Sequence, residues 1–252
     1  MSKPLTLLTG HSRGLGAALA AQCLRKGHVV LGISRQPHPG LPALAERYGG
    51  ELYQWTHDLA EPEQAAWPML DWLQSAGAAR FSSATLINNA GVIAPLRDLA
   101  ALEPADTARA LRVGLEAAMV LTGVFLRGTV DWLVPRKVMN ISSGLGRRAM
   151  AGSASYCAAK AGMDHFSRAV ALEEAAHPNG ARIVSIAPGV IDTDMQVQLR
   201  SADPRAFADQ SGFARLHQDG QLASAEDTAR KLLAWLDRPD YGAEPVADVR
   251  KP

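Results

Sequence analysis

The chain is predicted to fold as one doubly wound α/β domain, a mostly parallel sheet with helices on both faces. Short apolar runs alternate with longer amphipathic stretches from one end to the other, the pattern of repeated βα units. A glycine cluster follows the first apolar run and leads straight into the first amphipathic stretch. No linker, composition break, internal repeat or low-complexity tract divides the 252 residues, so the expectation is a single unit spanning 1–252.

In order, strands are expected at 5–9, 29–33, 52–56, 85–88, 138–142 and 182–187, with a short last one at 245–249. Helices are expected at 15–26, 41–48, 63–76, 105–126, 155–176 and 225–237. Gly27 stands where glycine commonly ends a helix, and Pro178-Asn-Gly180 ends the fifth one. Pro68 interrupts the third. The segment 192–222 is the least regular, with Pro204 and several glycines. A long segment of this kind in a compact enzyme is often a lid over the site. A disordered loop is the alternative, opposed by Met195, Leu199, Phe207 and Phe213.

A hydrophobic content of 47% is enough to bury a real core, and a formal charge of +1 gives no sign of a nucleic-acid or membrane-surface partner. Cys23 and Cys157 suit a reducing compartment and cannot build a disulfide framework. The apolar run after Met1-Ser-Lys-Pro4 is too short for a signal peptide, and no run reaches the length of a membrane span. A cytoplasmic protein is expected. The histidines show no metal-ligand spacing, so no metal site is expected.

Two features carry chemistry. The first strand ends in Thr9-Gly-His-Ser-Arg-Gly-Leu-Gly16. Glycines there let backbone approach a pyrophosphate, and the helix that follows offers free N–H groups and the positive end of its dipole. The second feature is Tyr156 and Lys160, four residues apart and so on one helix face, with Ser143 thirteen residues before the tyrosine. An ammonium beside a phenol favours the phenolate, which brings a pKa of about 10 toward the range of acid–base work. Ser143 would hydrogen-bond the same substrate oxygen.

Thr9-Gly-x-x-x-Gly-x-Gly16, Asn88-Asn-Ala-Gly91, Ser143, Tyr156-x-x-x-Lys160 and Pro188-Gly189 resemble, in order and spacing, the short-chain dehydrogenase/reductase superfamily. Asn89-Ala-Gly-Val-Ile93, Ala187-Pro-Gly-Val-Ile-Asp-Thr-Asp-Met-Gln196 and Ala247-Asp-Val-Arg250 look like its sepiapterin reductase and benzil reductase branch. The resemblance implies a Rossmann-type fold and reduction of a ketone or aldehyde, or the reverse oxidation, with a diketone or pterin-like substrate. It gives Tyr156 as proton donor, Ser143 as carbonyl-positioning group and Lys160 as the residue that tunes the tyrosine and binds the nicotinamide ribose. Gly10, Ser12, Arg13, Leu15 and Gly16 would wrap the phosphates. Asp58 and Leu59 would border the adenine, and Asn89 and Ala90 the ribose. Ile191 and Thr193 would hold the carboxamide. Asp248 would anchor a substrate ring, or instead pair with Arg250 at the surface. Asn88 and Asn89 also read as ties between strands, and Asp58 as a helix cap. Self-association into a homodimer or homotetramer through the helices at 105–126 and 155–176 is implied as well.

The second strand ends in Gly32-Ile-Ser-Arg35, without the acid that would accept the ribose hydroxyls of NAD. Arg35 and Arg13 are placed for a 2′-phosphate, so NADP(H) is the expected cofactor. One departure stands out: Gly114 occupies a slot where the family usually has an asparagine that helps a water reach the lysine. A water in the vacated space is the expectation. A non-catalytic nucleotide-binding regulator of the same fold is the alternative that Gly114 supports.

Overall fold

The structure, a computed structural model, describes residues 2–251. Seven parallel strands form one sheet in the order β3-β2-β1-β4-β5-β6-β7. They are β1 Lys3–Thr9, β2 Val29–Ser34, β3 Glu51–Thr56, β4 Phe81–Asn88, β5 Arg136–Ile141, β6 Arg182–Ala187 and β7 Val246–Asp248. The helices are α1 Gly14–Arg25, α2 Leu41–Tyr48, α3 Glu63–Ala76, α4 Pro104–Leu111, α5 Ala117–Gly128, α6 Ala154–Ala175, α7 Asp194–Arg200, α8 Gln210–Gln218 and α9 Ala225–Leu236. Side-chain alternation on the strands divides the core in two. Leu5, Leu7, Val29 and Leu31 point to one face, under α3, α5 and Val170 of α6. Leu8, Val30, Ile87 and Val184 point to the other, under α1, α2 and α9.

Strand order reverses between β1 and β4, which leaves a crevice beyond their C-terminal ends. A buried polar chain crosses the sheet just beneath it. Asn88 Nδ2 donates to Asn140 Oδ1 at 2.8 Å and to Thr122 Oγ1 at 3.0 Å, and Asn140 Nδ2 donates to Ser167 Oγ at 2.9 Å. Asn88 therefore ties β4 to β5 and α5. Such a chain restrains the register of the strands that end at the crevice, and of its members Asn88 keeps a buried Oδ1 with no hydrogen-bond partner.

The sequence reading differs from the structure in three places. β4 begins at Phe81, four residues before the expected start, because Phe81, Ser83 and Ala84 pair with Lys3, Pro4 and Leu5. The serines and Ala84 that follow Phe81 have no strong β propensity and hide a strand that its neighbour completes. The expected helix 105–126 is interrupted by a π-helical turn over Arg112–Glu116. The segment 192–222 carries two helices and hangs on a short neck, where Ala223 N–H donates to Val190 O at 3.0 Å and Asp192 N–H to Ala223 O at 3.0 Å.

Candidate active site

The crevice opens into a cleft of about 990 Å³, large enough for a dinucleotide with a small substrate beside it. Its floor is the turn after β1. Gly10 has φ 72°, and a Cβ on it would lie 2.9 Å from Asn89 Nδ2. A Cβ on Gly16 would lie 2.0 Å from Gly10 O, so any side chain there would force α1 away from the strand. Arg13, at the N-cap of α1, supplies no side-chain hydrogen bond to the first turn, and the helix N–H groups are left for an anion. Asn89 braces the turn from β4: its side chain donates to Thr9 O at 3.0 Å, and Thr9 Oγ1 accepts from the Asn89 and Ala90 N–H groups, each at 2.9 Å. Asn89 thus serves as the strand tie and lines the cleft at once.

At the opposite end, the N-terminal part of α6 projects Tyr156 and Lys160 into the cleft, and the end of β5 delivers Ser142 and Ser143. Lys160 is only 4% exposed. Its Nζ donates to Ile141 O at 2.7 Å and lies 5.7 Å from the centre of the Tyr156 ring. Desolvation brings its pKa down from 10.5 to about 8, with Asp164 pulling the other way. Burial pushes the Tyr156 phenol up from 10, and Ser143, as a hydrogen-bond partner, opposes this. The phenol is only half-buried, since its ring opens on the cleft, so water there relieves part of that push. The sequence expectation of a phenol lowered by its lysine is therefore corrected: burial of both groups dominates. Ser143 Oγ accepts the Leu145 N–H at 3.2 Å. The neighbouring Ser142 hydroxyl is buried in the cleft wall with no hydrogen-bond partner.

The cleft brings together Gly10, Ser12, Arg13, Leu15, Gly16, Arg35, Asp58, Leu59, Asn89, Ala90, Ile191 and Thr193 with Ser143, Tyr156 and Lys160. Asp248 is not among its lining. Arg250 takes its carboxylate, Nε to Oδ1 at 2.9 Å and NH2 to Oδ2 at 2.6 Å, and holds its pKa down to about 2. Arg250, and not Asp248, faces the cleft, so of the two expectations for Asp248 the structure has the pairing with Arg250 and not the ring anchor. Asp58 Oδ1 accepts the Ala60 N–H at 3.0 Å, and Arg109 reaches Oδ2 at 3.0 Å. Both hold the acid below the usual range, the backbone bond most. Arg13 pairs with Asp194 of α7 at 2.7 Å, across the mouth of the cleft.

The water expected beside Gly114 is also corrected. A Cβ there would meet Ala159 Cβ of α6 at 3.2 Å, so helix packing takes up the space. His11, absent from the sequence reading of the site, is completely buried behind the glycine-rich turn, against Ser34 and Gln54. Its ring occupies a slot that exists because residue 32 is glycine: a Cβ on Gly32 would lie 2.4 Å from His11 Cγ. A bulky residue inside a glycine turn, with a glycine on the next strand, was the signal in the sequence.

The family model for short chain dehydrogenase matches residues 4–204, over half of the chain. The chain belongs to the short-chain dehydrogenase/reductase family. It is 34% identical over 235 residues to a benzil reductase ((S)-benzoin forming) of Bacillus cereus, across 93% of this chain and 94% of that one. It is 31% identical to a sepiapterin reductase of Meriones unguiculatus, across 93% and 92%. Among solved structures, a short-chain dehydrogenase/reductase from Burkholderia vietnamiensis superposes with a TM-score of 0.67 at 35% identity, covering 99% of this chain and 98% of that one. The sheet and helices described above are those of this family's oxidoreductases, and no described helix is long and apolar enough to cross a membrane.

Proposed function

We propose that this protein is an NADPH-dependent carbonyl reductase in which Tyr156 gives the proton. The observation that carries the reading is the convergence of Ser143, Tyr156 and Lys160 at one end of a cleft whose other end is a glycine-walled helix N-terminus. The cradle fits a dinucleotide: Gly10 and Gly16 keep it open, and the end of β2 offers Ser34 and Arg35 with no acid. Gly10, Ser12, Leu15 and Gly16 would hold the phosphates, Arg35 with Arg13 the 2′-phosphate, Asp58 and Leu59 the adenine, Asn89 and Ala90 the ribose, and Ile191 and Thr193 the carboxamide. When bound, the nicotinamide supplies the hydride.

The chain's own residues do the rest. Ser143 donates to the substrate carbonyl and fixes it beside Tyr156. A phenol whose pKa is pushed up stays protonated at neutral pH, the state a proton donor needs in the reducing direction. As the phenolate forms, the Lys160 cation beside the ring stabilises it. Residues 192–222 act as a lid, and the apolar wall with Phe213 and Met195 suits a flat, apolar ketone. Relatives named benzil reductase and sepiapterin reductase make aromatic diketones and pterin-like ketones the first substrates to try. A homodimer or homotetramer placed in the cytoplasm completes the reading.

The test is Tyr156→Phe assayed by NADPH oxidation with benzil and a pterin. Loss of turnover of about 100-fold or more, with NADPH affinity kept, is expected. A near-native kcat in the Phe variant sinks the mechanism.

A further inference from the structure

His11 is held between acceptors. Its Nε2 lies 3.0 Å from Gln54 Oε1. That oxygen already accepts the His38 backbone N–H at 2.7 Å, which fixes which end of the amide is oxygen. Nε2 must therefore carry a proton. The other nitrogen, Nδ1, lies 3.1 Å from Ser34 Oγ, and the Ile33 carbonyl also acts on the ring. Ser34 has one hydroxyl proton and two claims on it: Nδ1, or Gln36 O at 2.7 Å. A neutral His11 takes that proton as acceptor. A protonated His11 donates to Ser34 Oγ instead, and leaves the hydroxyl proton to Gln36 O. Every nitrogen of the cation has an oxygen waiting, so protonation leaves no polar group unpaired. Ser34 and Arg35 line the cleft above this pair, where the ribose 2′-group is expected.

We propose that His11 is a positioning residue for the 2′-phosphate: it takes up a proton from solvent when NADPH binds, its Nδ1 then donates to Ser34 Oγ, and the Ser34 hydroxyl settles on Gln36 O, so that a buried cation and a fixed Ser34 stand beneath the phosphate. The proposal rests on the NADPH reading above. Burial holds the free ring below 6.5, Gln54 and the Ile33 carbonyl raise it, and His38 lowers it. A dianion added at Ser34 and Arg35 favours the cation. NADH presents no such charge. Besides His38 on the loop before α2, Arg35 after β2, Arg13 on the turn itself, and His57 and Asp58 after β3 stand at this end of the cleft. The sign follows: free enzyme binds fewer protons than the NADPH complex between the free and bound pKa of His11. As pH rises through that window, NADPH affinity therefore weakens by up to about tenfold per pH unit.

Calorimetry of NADPH binding to the full chain at about pH 7.5, in two buffers of different ionisation enthalpy, reads the proton count. The phosphate, with a second pKa of about 6, is already a dianion there and contributes little. We expect net proton uptake with NADPH and none with NADH, loss of the uptake in His11→Gln, and its retention in His38→Gln. No uptake by the native enzyme, or uptake that persists in His11→Gln, overturns the proposal. Imidazole nitrogen NMR of the native enzyme, free and with NADPH, gives the same answer should His11→Gln fail to fold: Nδ1 must change from acceptor to protonated. Arg35→Ala separates the two readings. If NADPH is preferred in an Arg35-dependent way but no proton moves, only the role of His11 falls; if NADPH and NADH bind the native enzyme alike, the cofactor reading falls and takes this with it.

Discussion

Lys160 is a cation enclosed by α6, the end of β5 and the Tyr156 ring, and its pKa of about 8 means that folding works against its charge. The unfolded chain keeps the proton up to about 10.5, so between about 8 and 10.5 it binds more protons than the folded one. Stability therefore rises with pH through that window, and below about 8 the whole cost of the buried charge is present. Lys160→Met should raise stability at neutral pH by about 1–3 kcal/mol while removing most activity. Part of the gain is lost because Ile141 O gives up its 2.7 Å donor. Urea midpoints at about pH 7 and pH 10 check it: a variant less stable than native at pH 7, or a gain that does not shrink at high pH, counts against this account. The spacing of Tyr156 and Lys160 is legible in the sequence because an i, i+4 pair on a helix needs no tertiary knowledge. The direction of their pKa values is not, because burial is a property of the assembled cleft.

Between α4 and α5 the chain makes a π-helical turn over Arg112–Glu116, with Gly114 buried inside it against Ala159 of α6. Such turns insert one residue into the helical ladder and favour functional surroundings. The pattern of residues 105–126 reads as one long helix, since one extra residue scarcely disturbs an amphipathic stretch. Only the approach of α6 shows where the ladder must give way. Pro68 misleads too: the sequence suggests an interruption there, yet α3 runs through it unbroken from Glu63 to Ala76. Gly114→Asn should overpack the contact with Ala159 Cβ and cost roughly 1–3 kcal/mol, with kcat unchanged or lower. Thermal melting beside Gly114→Ala orders the two by size. An asparagine variant as stable as native, with a raised kcat, would show that the space accepts the amide.

Across the whole molecule the site draws on residues far apart in the chain, joined where strand order reverses between β1 and β4. The alternation of strands and helices and the glycine turn follow from local patterns, so the fold class and that turn were readable. The Asp248–Arg250 pair was one of two alternatives the sequence offered; Arg13–Asp194 was not legible, because whether a surface charge meets a phosphate or another side chain depends on how the segment 192–222 comes to rest. Arg13 and Asp194 are 181 positions apart and both about two-thirds exposed, yet they close the cleft mouth at 2.7 Å. On one side this pair ties α7 to the glycine-rich turn; on the other, Phe207 is buried against Gly152 and stacked on Phe213. In the NADPH reading proposed above a 2′-phosphate would want the same arginine, so the carboxylate would compete for it. An exposed pair of this kind is worth about 0.2–1 kcal/mol, small enough for a dianion to displace. Asp194→Asn removes the competitor and keeps the shape. It should tighten NADPH binding by roughly twofold to fivefold and leave NADH binding unchanged, with the difference shrinking as salt is added. Titrations of both cofactors at low and high salt decide it. An equal change for NADH would mean that the pair acts by holding the lid, and weaker NADPH binding would mean that Asp194 orients Arg13 for the phosphate instead of withholding it.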